Sequence, residues 1–370
     1  MSGFRLRATA KTWRFGGPPK PWRRRSAGLH GSTSKGGHYV LRRQSNASVK
    51  ALKQDIHTPA GIDRRDVLVW AGAAAAGALW PRSIPAQEGA KTKLILLGTG
   101  GGPRPRATRS QPAQVILVND TPYVVDCGNG VARQLVFAGV PLPKLRHIFI
   151  THHHSDHNAD YGNLIWLAWA AGLRTRIDAW GPPPLEKMTQ LFFEMNAYDI
   201  KTRIADEGRV PLVPLVHAHE RSQGGAVMQD ENVKVTAALV HHPPVVPAFG
   251  YRFDARDRSI VISGDTAPSD NLMKLAQGAD VLVHEALHLA GLDRLVAGVP
   301  NAATLKQSIT SHHTTAEEAG RVAQAAGVKT LVLSHFVPAE DPAVTDQMWI
   351  DAARVHFRGS IIVGKDLMEI

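Results

Sequence analysis

Thr151-His152-His153-His154-Ser155-Asp156-His157 is the stretch on which the reading of this chain turns. It follows His147–Ile150, an apolar run with the length and composition of a short strand. The H-x-H-x-D-H spacing places three imidazoles and one carboxylate on a single tight turn, close enough to supply two adjacent metal ions with separate ligand sets. The bland alternative is a solvated polar loop. It is disfavoured because histidines and an aspartate crowded beside a buried strand repel or desolvate one another unless a cation collects them.

The composition points the same way. The chain has 370 residues, 18 of them histidine, and a lone cysteine, Cys127. Further histidines stand in the pairs His241-His242 and His312-His313. One cysteine excludes an intramolecular disulfide and a cysteine-rich zinc ribbon, which leaves imidazole and carboxylate as the ligand types. The net charge of +11 invites a nucleic-acid reading until the charge is located. Residues 1–65 hold 15 Lys and Arg against 2 Asp and Glu, so +13 lies there and the remainder carries −2. The basicity therefore belongs to the leader.

Three segments follow from this distribution. Residues 1–60, rich in Arg, Gly, Ser and Pro, read as a disordered basic leader. Residues 61–90 read as a signal peptide and its exit: Asp63-Arg64-Arg65-Asp66, an apolar run from Val67 to Trp80, and a polar stretch ending near Ala86. The adjacent arginines favour twin-arginine (Tat) export, with the Tat machinery as a partner and a periplasmic or secreted product. The run of about fourteen residues is short of the roughly twenty that span a bilayer, so no stable membrane anchor is expected. Residues 91–370 read as one α/β domain. Strands are predicted over 94–97, 114–118, 123–125, 147–151, 233–240, 259–263, 281–284 and 330–335, and helices over 130–138, 160–171, 184–195, 270–278 and 316–326. The last helix has a capping box, Thr315 with Glu318, and Gly327 as its stop.

With the H-x-H-x-D-H turn in place, the chain resembles the metallo-β-lactamase superfamily, and further motifs of that family follow in order. Leu97-Gly98-Thr99-Gly100 and Asp126-Cys127-Gly128 resemble its opening strand pair. His241-His242-Pro243-Pro244-Val245 resembles the third histidine motif, Ser263-Gly264-Asp265-Thr266 the bridging-aspartate motif, and Ser334-His335 a strand end bearing the last histidine. The resemblance implies an αββα sandwich, two mixed sheets with helices on the outer faces, over residues 91–370. It also implies two Zn²⁺ per chain, or Mn²⁺ or Fe²⁺ in their place. His152, His154 and His242 would hold one ion, Asp156, His157 and His335 the other, and Asp265 would bridge them. His241 and His242 compete for one position, because strand alternation turns only one inward.

Val283-His284-Glu285-Ala286 and His312-His313-Thr314-Thr315 resemble motifs of the branch that holds ribonuclease Z, phosphodiesterases and arylsulfatase-like enzymes. Glu285 and His312 are the expected catalytic dyad, the histidine delivering a proton to the departing oxygen of an ester. Ribonuclease Z itself carries a tRNA-gripping arm between segments that here correspond to Gly250-Tyr251-Arg252 and Gly264-Asp265-Thr266, which lie a hairpin apart. The expectation is therefore a hydrolase of a small sulfate or phosphate ester, with a small-molecule substrate and no nucleic-acid partner. A lactonase or other acyl hydrolase is the alternative, followed by ribonuclease Z and a non-catalytic metal-binding protein. The resemblance also allows a homodimer.

Overall fold

The computed structural model describes residues 92–370, so the leader and signal-peptide readings of residues 1–90 lie outside the described residues. Fourteen strands form two seven-stranded sheets there. The first is built from β1 (Thr92–Gly98), β2 (Ala113–Val118), β3 (Thr121–Val125), β4 (His147–Phe149), β5 (Ile177–Gly181) and β6 (Val216–Glu220). The second holds β7 (Gly225–Gln229), β8 (Val233–Leu239), β9 (Phe249–Ala255), β10 (Ser259–Ile262), β11 (Val281–Leu287), β12 (Thr330–Val337) and β13 (Ser360–Val363). The chain then returns to add β14 (Met368–Glu369) beside β1. Antiparallel pairs occupy one part of each sheet and parallel pairs the other: β3-β4-β5-β6 in the first, β10-β11-β12-β13 in the second.

Side-chain alternation along the strands separates three apolar layers. Leu94 and Leu96 of β1, with Phe149 of β4, face the second sheet and share a cluster with its Tyr251, Phe253, Val281 and Val283. Their neighbours Ile95 and Leu97 turn the other way, onto the helices Val131–Phe137 and Tyr161–Ala170. In β11, Leu282 likewise leaves the central layer for the helix Ala316–Ala326. The result is the αββα sandwich that the resemblance implied.

The parallel strands all run toward one edge, and the loops leaving that edge carry the polar motifs, as is usual in α/β folds. Two of the strand boundaries that differ from expectation bear on the polar motifs. β11 continues to Leu287, so Glu285 lies inside a strand, and β12 continues to Val337, so His335 does not end it. The register between the two slips at Glu285/Ala286, and His335 takes a left-handed φ of 45°. That local bend aims an in-strand histidine at the strand-end loops, at a conformation uncommon for a residue with a side chain. Thr315 and Glu318 form the capping box in full, and Gly327 closes that helix at φ 64°.

Candidate metal centre

Six elements converge on the centre. The turn after β4 brings His152 and His154, and the short helix Ser155–Asn158 brings Asp156 and His157. His242 follows β8, Asp265 follows β10, Glu285 lies in β11 and His335 in β12. His152, Asp156, His157, His242, Asp265, Glu285 and His335 are all buried.

Two groups of candidate ligand atoms result: His152, His154, His242 and Asp265, and then Asp156, His157 and His335. In the first, His154 Nδ1 lies 3.1 Å from His152 Nε2 and 3.2 Å from His242 Nε2, and Asp265 Oδ2 is 3.8 Å from His152 Nε2. In the second, Asp156 Oδ2 lies 3.7 Å from His157 Nε2 and 3.5 Å from His335 Nε2. Asp265 joins them, with Oδ1 3.2 Å from His157 Nε2 and Oδ2 3.2 Å from His335 Nε2.

Such a cluster fits a divalent ion on two grounds. Nitrogens bound tetrahedrally at about 2.0–2.1 Å stand about 3.3 Å apart, close to the separations found. In addition, His157 Nε2, Asp265 Oδ1 and both ring nitrogens of His335 are buried with no hydrogen-bond partner. An unpartnered buried polar atom costs about 1–3 kcal/mol, and four together require a compensating cation.

Outer contacts fix which nitrogen faces inward. His157 Nδ1 donates to Asp126 Oδ2 at 2.8 Å, which leaves Nε2 for the centre. Asp126 also accepts from the Thr151 backbone N–H at 2.8 Å, tying the turn to the end of β3. His242 Nδ1 donates to the His312 carbonyl at 2.9 Å. The Gly102 N–H donates to Asp156 Oδ2 at 2.7 Å from the β1–β2 loop. Burial holds the His152 ring far below its ordinary pKa and pushes His242 down to about 4, so both stay neutral and able to bind a cation. Burial alone would raise Asp265, but the His157 and His335 rings beside it hold it well below the carboxylate range.

The expected dyad of Glu285 with His312 needs correction. Glu285 Oε2 accepts from His313 Nδ1 at 2.7 Å, while Oε1 accepts from the Thr266 N–H at 2.7 Å. His312 is the last residue of the helix Ala302–His312, partly exposed; its carbonyl accepts from His242 and its ring lies edge-on to His242 with centroids 6.0 Å apart, but it makes no contact with Glu285. His313, in extended conformation just past that helix, is turned inward instead. Burial would lower the His313 ring, yet Glu285, through its charge and hydrogen bond, and Asp265 lift it to about 9. The signal for His313 was in the sequence: aligned to the family's H-S-T motif, the three letters that fit are His313-Thr314-Thr315. Asp265, His313 and His335 form a third close group, in which His313 Nδ1 is already engaged by Glu285. Of the competing pair, His242 faces the cluster, whereas His241 is exposed and pairs through its backbone with Ala267.

Comparison with known proteins agrees with this geometry. Residues 121–336 match the beta-lactamase superfamily domain. The ribonuclease Z of Mycobacterium bovis is 33% identical over 281 residues, which are 75% of this chain and 97% of that protein. Among solved structures, the metallo-beta-lactamase fold protein YhfI from Bacillus subtilis superposes at a TM-score of 0.57 with 20% identity, over 75% of this chain and 98% of that one. The short form of human tRNase Z gives 0.56 with 23% identity over the same shares, a likeness of fold.

The ribonuclease Z match corrects the expectation of a small sulfate or phosphate ester as substrate. That expectation leaned on the missing arm, and β9 and β10 are indeed joined by residues 256–258 alone. Yet the chain spans nearly the whole of a protein that bears the ribonuclease Z name, so the arm's absence does not separate the two. The chain belongs to the metallo-β-lactamase superfamily, as a metal-dependent hydrolase with ribonuclease Z relatives.

Proposed function

We propose that this protein is a ribonuclease Z-type endonuclease that hydrolyses phosphodiester bonds in RNA, with two zinc ions held by His152, His154, His242, Asp156, His157, His335 and a shared Asp265. The observation that carries this reading is the 33% identity across 97% of a protein named ribonuclease Z. RNA then replaces the small-molecule partner expected from the sequence.

Divalent ions at such a ligand set lower the pKa of water and neutralise charge on a phosphoryl group. The chain's own residues do the rest. Asp126 and the His312 carbonyl orient His157 and His242, so that the ligand geometry is set before substrate arrives. Glu285 keeps His313 protonated at neutral pH through the 2.7 Å hydrogen bond. With Nδ1–H given to Glu285, His313 has Nε2–H to donate to the oxygen that departs when the P–O bond breaks. His313 stands 3.9 Å from Asp265 Oδ2, next to the cluster rather than within it. Departing ribose oxygens are poor leaving groups, and proton delivery of this kind contributes about 10²–10⁴-fold.

The test is incubation of the purified full chain, loaded with zinc, with a precursor tRNA transcript bearing a 3′ trailer, followed by mapping of the ends. A single cut at the trailer boundary is expected. Intact transcript under conditions where bis-p-nitrophenyl phosphate is hydrolysed would overturn the RNA substrate.

A further inference from the structure

Beside the centre, between the β1–β2 loop and the helix Val131–Phe137, lies a groove of about 430 Å³ lined by Arg106, Thr108, Asn129, Arg133 and Phe137, among others. It adjoins the centre through two backbone contacts. Gly102, on the same loop, holds Asp156, and a Cβ on Gly128, next to Asn129, would meet the Asp156 carbonyl at 2.4 Å. Arg104 follows Gly102 by two residues and so sits within about 7 Å of it along the backbone.

Three arginines, Arg106, Arg109 and Arg133, line the groove against one carboxylate, Asp366. Arg104 and Arg133 are exposed, and among the described residues neither side chain has a hydrogen bond or an ion pair. Arg106 donates to the Gly102 and Arg104 carbonyls and to no carboxylate. Three acids lie nearby and keep their charge, accepting only from neutral donors: Glu340 from Thr108, Asp160 from Gly130, Asp366 from Thr99 and Ser110. Phe137 is 57% exposed, and the Arg133 guanidinium lies 5.0 Å over its ring. An unpaired arginine beside an exposed aromatic ring, on a lining where arginines outnumber acids, makes a surface that holds a phosphate backbone and stacks an unpaired base. The folded remainder, near −2 overall, gives no general basic field, so this local concentration stands out.

We propose that this groove binds the single-stranded RNA flank next to the scissile bond, with Arg133 on a phosphate and Phe137 under a base. The proposal rests on the ribonuclease reading for its ligand. The two are separated by measuring binding without cleavage: fluorescence anisotropy of a labelled 2′-O-methyl oligouridylate on the full zinc-loaded chain, across a salt series. Arg133→Ala is expected to reduce the slope of log affinity against log salt by about 0.7, the value of one lost phosphate contact on a single strand. Phe137→Ala is expected to weaken binding about tenfold with the slope kept. Zinc content and turnover of bis-p-nitrophenyl phosphate should match wild type in all variants. Absence of binding by wild type, or wild-type affinity and slope in the variants, would overturn the groove. So would loss of zinc or of ester turnover alongside binding, which would assign these residues to the fold. Intact binding with no RNA cleavage would overturn the nuclease reading and leave the groove standing.

Discussion

Replacing Glu285 by Gln tests the proton-carrier role of His313 without removing the His313 ring. The amide keeps an oxygen for the Thr266 N–H but lacks the charge that, ahead of those of Asp265 and Asp156, lifts His313 from an ordinary 6.5 to about 9. That lift of about 2.5 pH units is worth about 3 kcal/mol of preference for the protonated ring. At pH 7.5 a group with a pKa near 9 is about 97% protonated, whereas at or below 6.5 it is about 9% or less. The variant should therefore lose about tenfold or more in kcat on RNA at pH 7.5. The sign follows from the direction of the shift: the acid form is full below the raised pKa and disappears as pH rises through it. The alkaline limb of the kcat profile should thus fall from near 9 to about 6.5 or lower. The assay is initial-rate cleavage of an RNA oligonucleotide from pH 5.5 to 10, with bis-p-nitrophenyl phosphate in parallel, because nitrophenolate departs with little need of a proton. An unmoved alkaline limb, or equal losses on both substrates, would refute the role.

Three other outcomes are expected. His312→Ala should leave kcat within a few-fold of wild type, since the backbone carbonyl and not the ring holds His242; a loss matching that of His313→Ala would restore the original dyad. Asp126→Asn should weaken zinc binding about 10- to 100-fold in a competition titration by removing the carboxylate behind His157, and unchanged affinity would contradict that contact's importance. His284 is fully buried, and burial holds its ring down to about 4. An unfolded ring near 6.5 takes a proton that the folded one refuses, so stability falls as pH drops from 6.5 toward 4, by about 2 kcal/mol between pH 7.5 and 5. Urea unfolding of His284→Asn should show a pH dependence shallower by that amount, and identical dependences would show that the ring is protonated in the fold.

The candidate centre was legible in the sequence wherever the chemistry is local. The His152 to His157 turn carries four of the seven clustered side chains, and each remaining one stood in a recognisable strand-end motif. What required coordinates was orientation. The inward turn of His313 depends on where the helix Ala302–His312 ends, and that helix has only a narrow apolar stripe, Ala302, Leu305 and Ile309, to announce it. His335 needed the slipped register between β11 and β12, a non-local feature. β6 was missed because its sequence, Val216-His217-Ala218-His219-Glu220, is half polar, as suits a sheet edge. β9 was missed although Phe249, Tyr251 and Phe253 alternate with Gly250, Arg252 and Asp254, the pattern of a half-buried strand. The substrate was misjudged for a different reason: an absent insertion removes one way of gripping RNA without saying what the shared core cleaves.

The most direct measurement is cleavage of the precursor transcript as zinc is added back to chelator-treated protein, for the wild type and for Asp265→Ala. Activity that rises to a plateau near two equivalents in the wild type and stays absent in the variant is the expected result. RNA cleavage that survives chelation, or zinc-saturated protein that leaves the transcript whole, would contradict a metal-dependent nuclease built on Asp265.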